Sequence, residues 1–226
     1  MADFTRIKYG QVEPNQLSAQ KTGQIYASLP LDTNVKTLQN GEFMYYDYQS
    51  GKVSATDSTG VAEPMLVFNE IKLYDEFWRH SYKDFAMIRV DTYDNSTNPP
   101  TLVPGENYVT TDLVTAGYGD GATNPAGTVS PAHTEYPYRM AGMAPRLFKT
   151  NVGDIYTTNM VKIGAGIEYE VGDLLQPKLD STSHTLVLEE FVPAQAGDKP
   201  VGMTWVVVKV YTMPDGQPGL KLQRVQ

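Results

Sequence analysis

From Arg146 to the C-terminal Gln226, short β-prone segments alternate with turn words at the roughly 8–12-residue spacing that marks a β-sandwich or barrel. The stretch "RLFKTNVGDIYTTNMV" reads as two short strands around a turn at Val152-Gly153. "AGIEYEVGDLLQPKLDSTSHTLVLEEFVP" reads as a strand, a turn, a strand, a turn and a long apolar strand, with "QAGDKPVG" as a surface loop after it. "MTWVVVKVYTM", a "PDGQPG" turn and "LKLQRV" make a terminal hairpin. The fold class expected is all-β: a barrel or sandwich core with an extended N-terminal arm and a long loop-rich insertion.

The N-terminal half is less regular. Residues 1–37 are polar and rich in turn formers, with Pro14, Gly23 and Pro30, and show no sustained period of either kind. They are expected to form an extended arm with one short strand in "GQIYASL" (Gly23 to Leu29), ordered by a neighbour. The main domain is then 38–226. Within it, "EFMYYDY", the turn "QSG" and "KVSAT" carry a hairpin signal. "PMLVFNEIKLY" follows as a strand broken at Asn69-Glu70. Phe77, Trp78, Tyr82 and Phe85 suit a helical face behind a capping Asp75, whereas "FAMIRVDTY" alternates, so a helical turn or irregular segment followed by a strand is expected. From about 91 to 140, Gly, Pro, Asn, Ser and Thr dominate, and only "NYVTTDLVTA" resembles an element. Loops this long are functional or externally held, and this one reads as a projecting insertion.

One small unit recurs: a glycine, an acidic residue, then two mainly apolar residues. It appears as Gly41-Glu42-Phe43-Met44, Gly153-Asp154-Ile155-Tyr156 and Gly172-Asp173-Leu174-Leu175. Glycine supplies the positive-φ residue that closes a turn. The acid accepts hydrogen bonds from free turn amides. The next residues enter a strand.

The words around these units, "NGEFMYYDYQSGKVSATDSTGVAEP" (residues 40–64) and "VGDLLQPKLDSTSHTLVL" (171–188), resemble those of capsid decoration, or cement, proteins of tailed bacteriophages. In that family a small β-barrel carries a Gly-Glu strand start, an alternating strand, a Gly-Lys-Val return and a Gly-Val-Ala step. The likeness covers about residues 40–64 and 146–190, under half of the chain, and the long insertion departs from the simple barrel. It implies a non-enzymatic virion protein, folded in the host cytoplasm, that binds the capsid exterior. Its partner would be the major capsid protein, and it would be a homo-oligomer, a dimer or a trimer. A head–tail connector or tail-tube subunit, and a carbohydrate-binding β-sandwich module, are the alternatives.

Composition narrows the chemistry. Cysteine is absent, which removes disulfides, thiolate metal sites and thiol nucleophiles, and favours folding inside a cell. The N-terminal residues lack the apolar core of a signal peptide, and the longest strongly apolar run, Thr204 to Met213, is too short to span a bilayer and contains Lys209. A net charge of −8, with Lys and Arg scattered, argues against direct nucleic-acid binding. The three histidines, His80, His133 and His184, lack metal-ligand spacing. "GYGDGATNPAG" lacks the Lys-Ser/Thr ending of a phosphate loop, and Asp112 with Asp120 does not match a calcium loop. Glu189 and Glu190 are adjacent in a strand, point to opposite faces and cannot flank one glycosidic bond. No catalytic residue, cofactor or metal ligand is assigned.

The remaining candidates are aromatic. The 15 tyrosines against 7 phenylalanines fit either plain strand propensity or a surface kept for partners. Trp78 and Trp205 read as core anchors. Period-two alternation through "WVVVKV", however, puts Val206, Val208 and Val210 in the core and turns Trp205 and Lys209 outward or toward a partner. The partner-interface candidates are therefore Phe4, Tyr9, Tyr26, Tyr45, Tyr46, Tyr48 and Trp205.

Overall fold

A computed structural model of the chain describes residues 10–35, 37–69, 73–74, 81–82, 86–94, 101–110, 144–164, 166–195, 197–213 and 216–226. It is nearly all β. The N-terminal part holds β1 (Val12–Gln16), a one-turn helix α1 (Ser18–Thr22), β2 (Ile25–Tyr26), β3 (Thr37–Gln39), β4 (Phe43–Asp47), β5 (Lys52–Ser54) and β6 (Met65–Val67). Next come β7 (Leu73–Tyr74), β8 (Ser81–Tyr82), β9 (Ala86–Asp94) and β10 (Thr101–Thr110). The C-terminal part holds β11 (Leu147–Phe148), β12 (Ile155–Thr158), β13 (Leu174–Asp180), β14 (Thr185–Glu190), β15 (Trp205–Thr212) and β16 (Pro218–Arg224).

Eleven strands form one antiparallel sheet in the order β1-β12-β16-β15-β13-β14-β4-β6-β11-β2, with β5 hung on β4. The two edge strands, β1 and β2, are joined by residues 17–24 alone. A flat sheet would hold these edges about 43 Å apart, at about 4.8 Å per strand spacing. A connection of this length containing a helical turn reaches about 20 Å. The sheet therefore curls into a half-barrel, and its concave side is the main core. That core gathers Phe43, Leu66, Phe148, Tyr156, Leu175, Leu188, Trp205, Val207, Leu220 and Leu222, with Val12, Leu17 and Ala19 brought in by β1 and α1.

A second, smaller core lies on the other face of β4, β6 and β11. Alternation along these strands does the sorting: Phe43, Leu66 and Phe148 point into the half-barrel, and Met44, Tyr46, Val67 and Leu147 point out of it. The outer residues are covered by Leu31, Val35, Leu38 and Met87. Leu38 and Met87 belong to a separate three-stranded sheet, β10-β9-β3, so the molecule is locally two layers thick here.

The recurring glycine–acid unit is a structural module. Gly41, Gly153 and Gly172 have φ of 93°, 96° and 103°. The main-chain N–H of Glu42, Asp154 and Asp173 donates to the carbonyl of Gln39, Asn151 and Glu170, at 3.3, 3.0 and 3.2 Å. The acid's carboxylate accepts the N–H of that same residue, at 2.8, 2.9 and 2.6 Å. This is a tight turn with glycine third, locked by a side chain. The glycine N–H and the acid's carbonyl then both bond one residue of the neighbouring strand: Val67, Arg224 and Val207, at 2.8 to 2.9 Å. Two residues facing one make a glycine-first β-bulge, which bends the strand and sharpens the curl. A fourth turn, Gln195 to Asp198, repeats the turn half of the module: Gly197 has φ 95°, and Gln195 N–H donates to the Asp198 carboxylate at 2.8 Å.

Several expectations are corrected. Residues 10–35 are not an arm standing off the domain: β1 pairs with β12, β2 pairs with β11, and Val12, Leu17 and Ala19 are fully buried. Asp154 ties α1 down, accepting Ser18 N–H at 3.0 Å and Ser18 O–H at 2.9 Å. β11 and β12 flank the Gly153 turn without pairing with each other, since β11 lies between β6 and β2 and β12 between β1 and β16. No strand forms over Ile167–Glu170. Within the expected insertion, β9 and β10 form a long antiparallel pair that already begins at Thr101; residues 95–100 and 111–143 lie outside the described residues, as do Asp75 to His80.

Trp205 is the core anchor of one reading and not the outward-facing residue that alternation implied. It is 0% exposed at the centre of the main core, 4.8 Å from the Tyr156 ring in an edge-on contact and 6.0 Å from the Phe43 ring. Val208 and Val210 are instead exposed, at 41% and 40%. The alternation runs in the opposite phase, with Trp205 and Val207 buried and Val206 and Val208 turned away, and the register shift between Val207 and Lys209 then sets Lys209 opposite Lys221.

Candidate functional site

Of the seven aromatic candidates, three meet in space. Tyr26 on β2, Tyr46 on β4 and Tyr48 just beyond β4 form a ladder, with ring centroids 5.1 Å apart between Tyr26 and Tyr46 and 5.0 Å apart between Tyr46 and Tyr48. Tilted and edge-on rings at this range are favourable aromatic pairs. The ladder runs from inside to outside: Tyr46 is 4% exposed and belongs to the second core, and Tyr48 is 74% exposed. The Tyr46 phenol sits against the Ser28 hydroxyl, and the Ser28 N–H donates to the same oxygen at 3.3 Å. Tyr45 alternates to the other face, where it packs half-buried against the main core. Burial, and then the nearby Asp57 carboxylate, push its phenol above the ordinary tyrosine range. Trp205 belongs to the interior, and Phe4 and Tyr9 lie outside the described residues.

The platform under Tyr48 is heavily braced. Asp47 accepts the N–H groups of Gln49 and Ser50 at 2.9 and 3.4 Å and the hydroxyl of Ser58. The Ser58 hydroxyl is the largest of the causes that hold the Asp47 carboxyl down at about 2. Asp57 accepts Ala62 N–H at 2.7 Å and Thr59 N–H at 3.0 Å, and these bonds lower its carboxyl as well. The far end of the same loop is anchored by Glu63, 2.9 Å from the buried guanidinium of Arg224. Leu31 and Val53 make a parallel bridge across the base, with Asp32 N–H to Val53 O and Val53 N–H to Pro30 O at 2.8 Å each. A side chain held on so fixed a support loses little freedom on docking, which is what a contact residue needs.

His184 is exposed in the β13–β14 turn, with φ 55°; His80, His133, Asp112 and Asp120 lie outside the described residues. Glu189 bridges Lys162 at 3.2 Å and Lys178 at 3.6 Å on the surface. Among the described residues no group of three His, Asp or Glu side chains is placed to hold a metal ion. Ser28 and Ser58, which position the ladder and its hairpin, were not singled out in the sequence; a serine among small polar residues carries no signal until its partner is known. Comparisons with protein-family models, with curated proteins and with solved structures find no match for this chain.

Proposed function

We propose that this protein is a structural component of a tailed-phage virion that binds the outside of the capsid shell and reinforces it. The observation that carries the reading is Tyr48, an exposed aromatic ring at the outer end of a rigidly supported ladder, within the stretch 40–64 that resembles decoration proteins. Tyrosine is enriched at the centres of protein interfaces because it offers a large apolar body, a polar tip and few rotamers. On a symmetric shell, many modest contacts of this kind multiply into firm attachment. The partner is the major capsid protein, engaged by area and shape.

The test is co-sedimentation of the purified chain with empty shells of its cognate capsid protein. Wild type pellets with the shells, and Tyr48→Ala binds at least about tenfold more weakly, as for an interface hot spot. Wild type left in the supernatant at saturating shell concentration sinks the capsid reading. Equal binding of Tyr48→Ala removes the ladder as the contact and leaves attachment to another face. An exposed ring on a β-hairpin is also what a sugar stacks on, so a carbohydrate-binding module is the second reading. Binding on a glycan array that Tyr48→Ala abolishes favours it.

A further inference from the structure

Among the described residues, the outer half of β15 is a sheet edge with a neighbour on one side. β13 meets β15 only at Leu174↔Val206 and Leu175↔Trp205. The Val207 N–H and C=O are then taken by Asp173 O and Gly172 N–H. Beyond that point Val208 is bulged out of register, and Lys209–Thr212 pair with β16 on one side and with no described strand on the other. Val208, Lys209, Val210 and Thr212 are exposed. Unpaired backbone along such an edge is a template for one more strand.

Charge identifies the occupant. Lys209 and Lys221 sit directly opposite each other on β15 and β16. Like charges in that position repel. Among the described residues neither ammonium has a carboxylate partner, although the chain carries a net charge of −8. Lys209 is held in place, its Nζ 5.5 Å from the centre of the Tyr211 ring. A second copy adding through the same edge would gather four lysines on one patch. An extended segment alternating acidic and apolar residues instead neutralises the lysine pair and covers Val208 and Val210.

We propose that the β15 edge is a docking site for an extended acidic strand of a partner protein, bound by strand addition. The site is independent of the tyrosine ladder and of the capsid reading. The experiment titrates the isotope-labelled full chain with an end-blocked peptide of four Glu-Val repeats and follows backbone amide shifts. The result expected is saturable shifts centred on Val208–Thr212 and Lys221. Binding weakens at least about tenfold in K209E/K221E, which the same spectra show to be folded. It also weakens at higher salt, and it disappears when the peptide backbone is N-methylated. If the charge-reversed chain fails to fold, K209Q/K221Q carries the same comparison, with a smaller loss. Absence of saturable shifts, shifts centred elsewhere, equal binding of a Lys-Val peptide to wild type, or dimerisation of the free chain through this edge overturns the proposal.

Discussion

The two cores on either face of β4 are built from the same strands by the same alternation, yet they end differently. The concave core is enclosed: its large side chains, Trp205, Tyr156 and Phe43, have no exposure. The outer core leaks to the surface through Tyr46 and Tyr48. The difference lies in what covers each face. The sheet curls over its own concave side and is stitched by edge strands β1 and β2, whereas the described cover of the outer face is Leu31, Val35, Leu38 and Met87. The largest buried side chains lie inside the half-barrel, and the outer core ends in the exposed ring of Tyr48.

That division can be broken most directly at Trp205. Replacing a fully buried tryptophan by alanine opens a cavity and costs about 3–5 kcal/mol; for Trp205→Ala, chemical denaturation should show a loss in this range. An undiminished midpoint would mean that the concave core is not the main source of stability.

Next is Gly41, which launches the strand that both cores share. An alanine there is strained by the left-handed backbone, at about 1–2 kcal/mol. Its Cβ would also lie 2.5 Å from Met160 Cβ and 2.6 Å from the Thr158 hydroxyl, adding an overpacking cost of about 1–3 kcal/mol. Gly153 and Gly172 have open space around the same position, so Gly153→Ala and Gly172→Ala carry the backbone cost alone. Thermal melts of the three variants should rank Gly41→Ala as clearly the least stable.

On the outer face, Tyr46→Phe keeps the ring stack and removes the phenol that meets Ser28. Its bonds to the Ser28 hydroxyl and N–H are both lost, at about 0.5–1.5 kcal/mol each. A loss as large as that of Trp205→Ala would show the two cores to be equal partners.

The smallest effect is a pH dependence confined to the hairpin beneath Tyr48. Asp47 is held at about 2 by the Ser58 hydroxyl and turn amides, against about 3.9 in an unfolded chain. Because the folded value is the lower, its contribution is complete above about pH 4 and is lost as pH falls toward 2. Amide exchange in the β4–β5 turn should accelerate through that window, and in Asp47→Asn the turn should show no such titration. Matching acceleration in the variant would assign the effect to other carboxyls.

Much of this was legible in the chain itself, and the reason is locality. The glycine–acid module is complete within four residues, so the positive φ, the carboxylate-to-amide bond and the strand start follow from "QNGE", "NVGD" and "EVGD" as read. The β4–β5 and β15–β16 hairpins are likewise short-range features, and so is the all-β class. Tyr26, Tyr46 and Tyr48 could be named one by one, since tyrosine in a β-prone segment is visible without a structure. That the three touch depends on Tyr26 and Tyr46, twenty residues apart in the chain and on strands separated in the sheet by β6 and β11, packing into the same outer core.

Tertiary structure alone decided which side of a strand is inside. Along "WVVVKV" both faces are apolar, so the pattern is symmetric until the curl encloses one face and a bulge after Val207 ends the alternation. The same holds for residues 10–35. Their polar, turn-rich composition looks like that of a free arm, but long-range pairing with β12 and β11, together with the burial of Val12, Leu17 and Ala19, makes them the two edges that hold the half-barrel closed. Local patterns set the turns and strands; only the enclosure of one face by distant segments assigns burial, because burial belongs to the assembled sheet and not to any single strand.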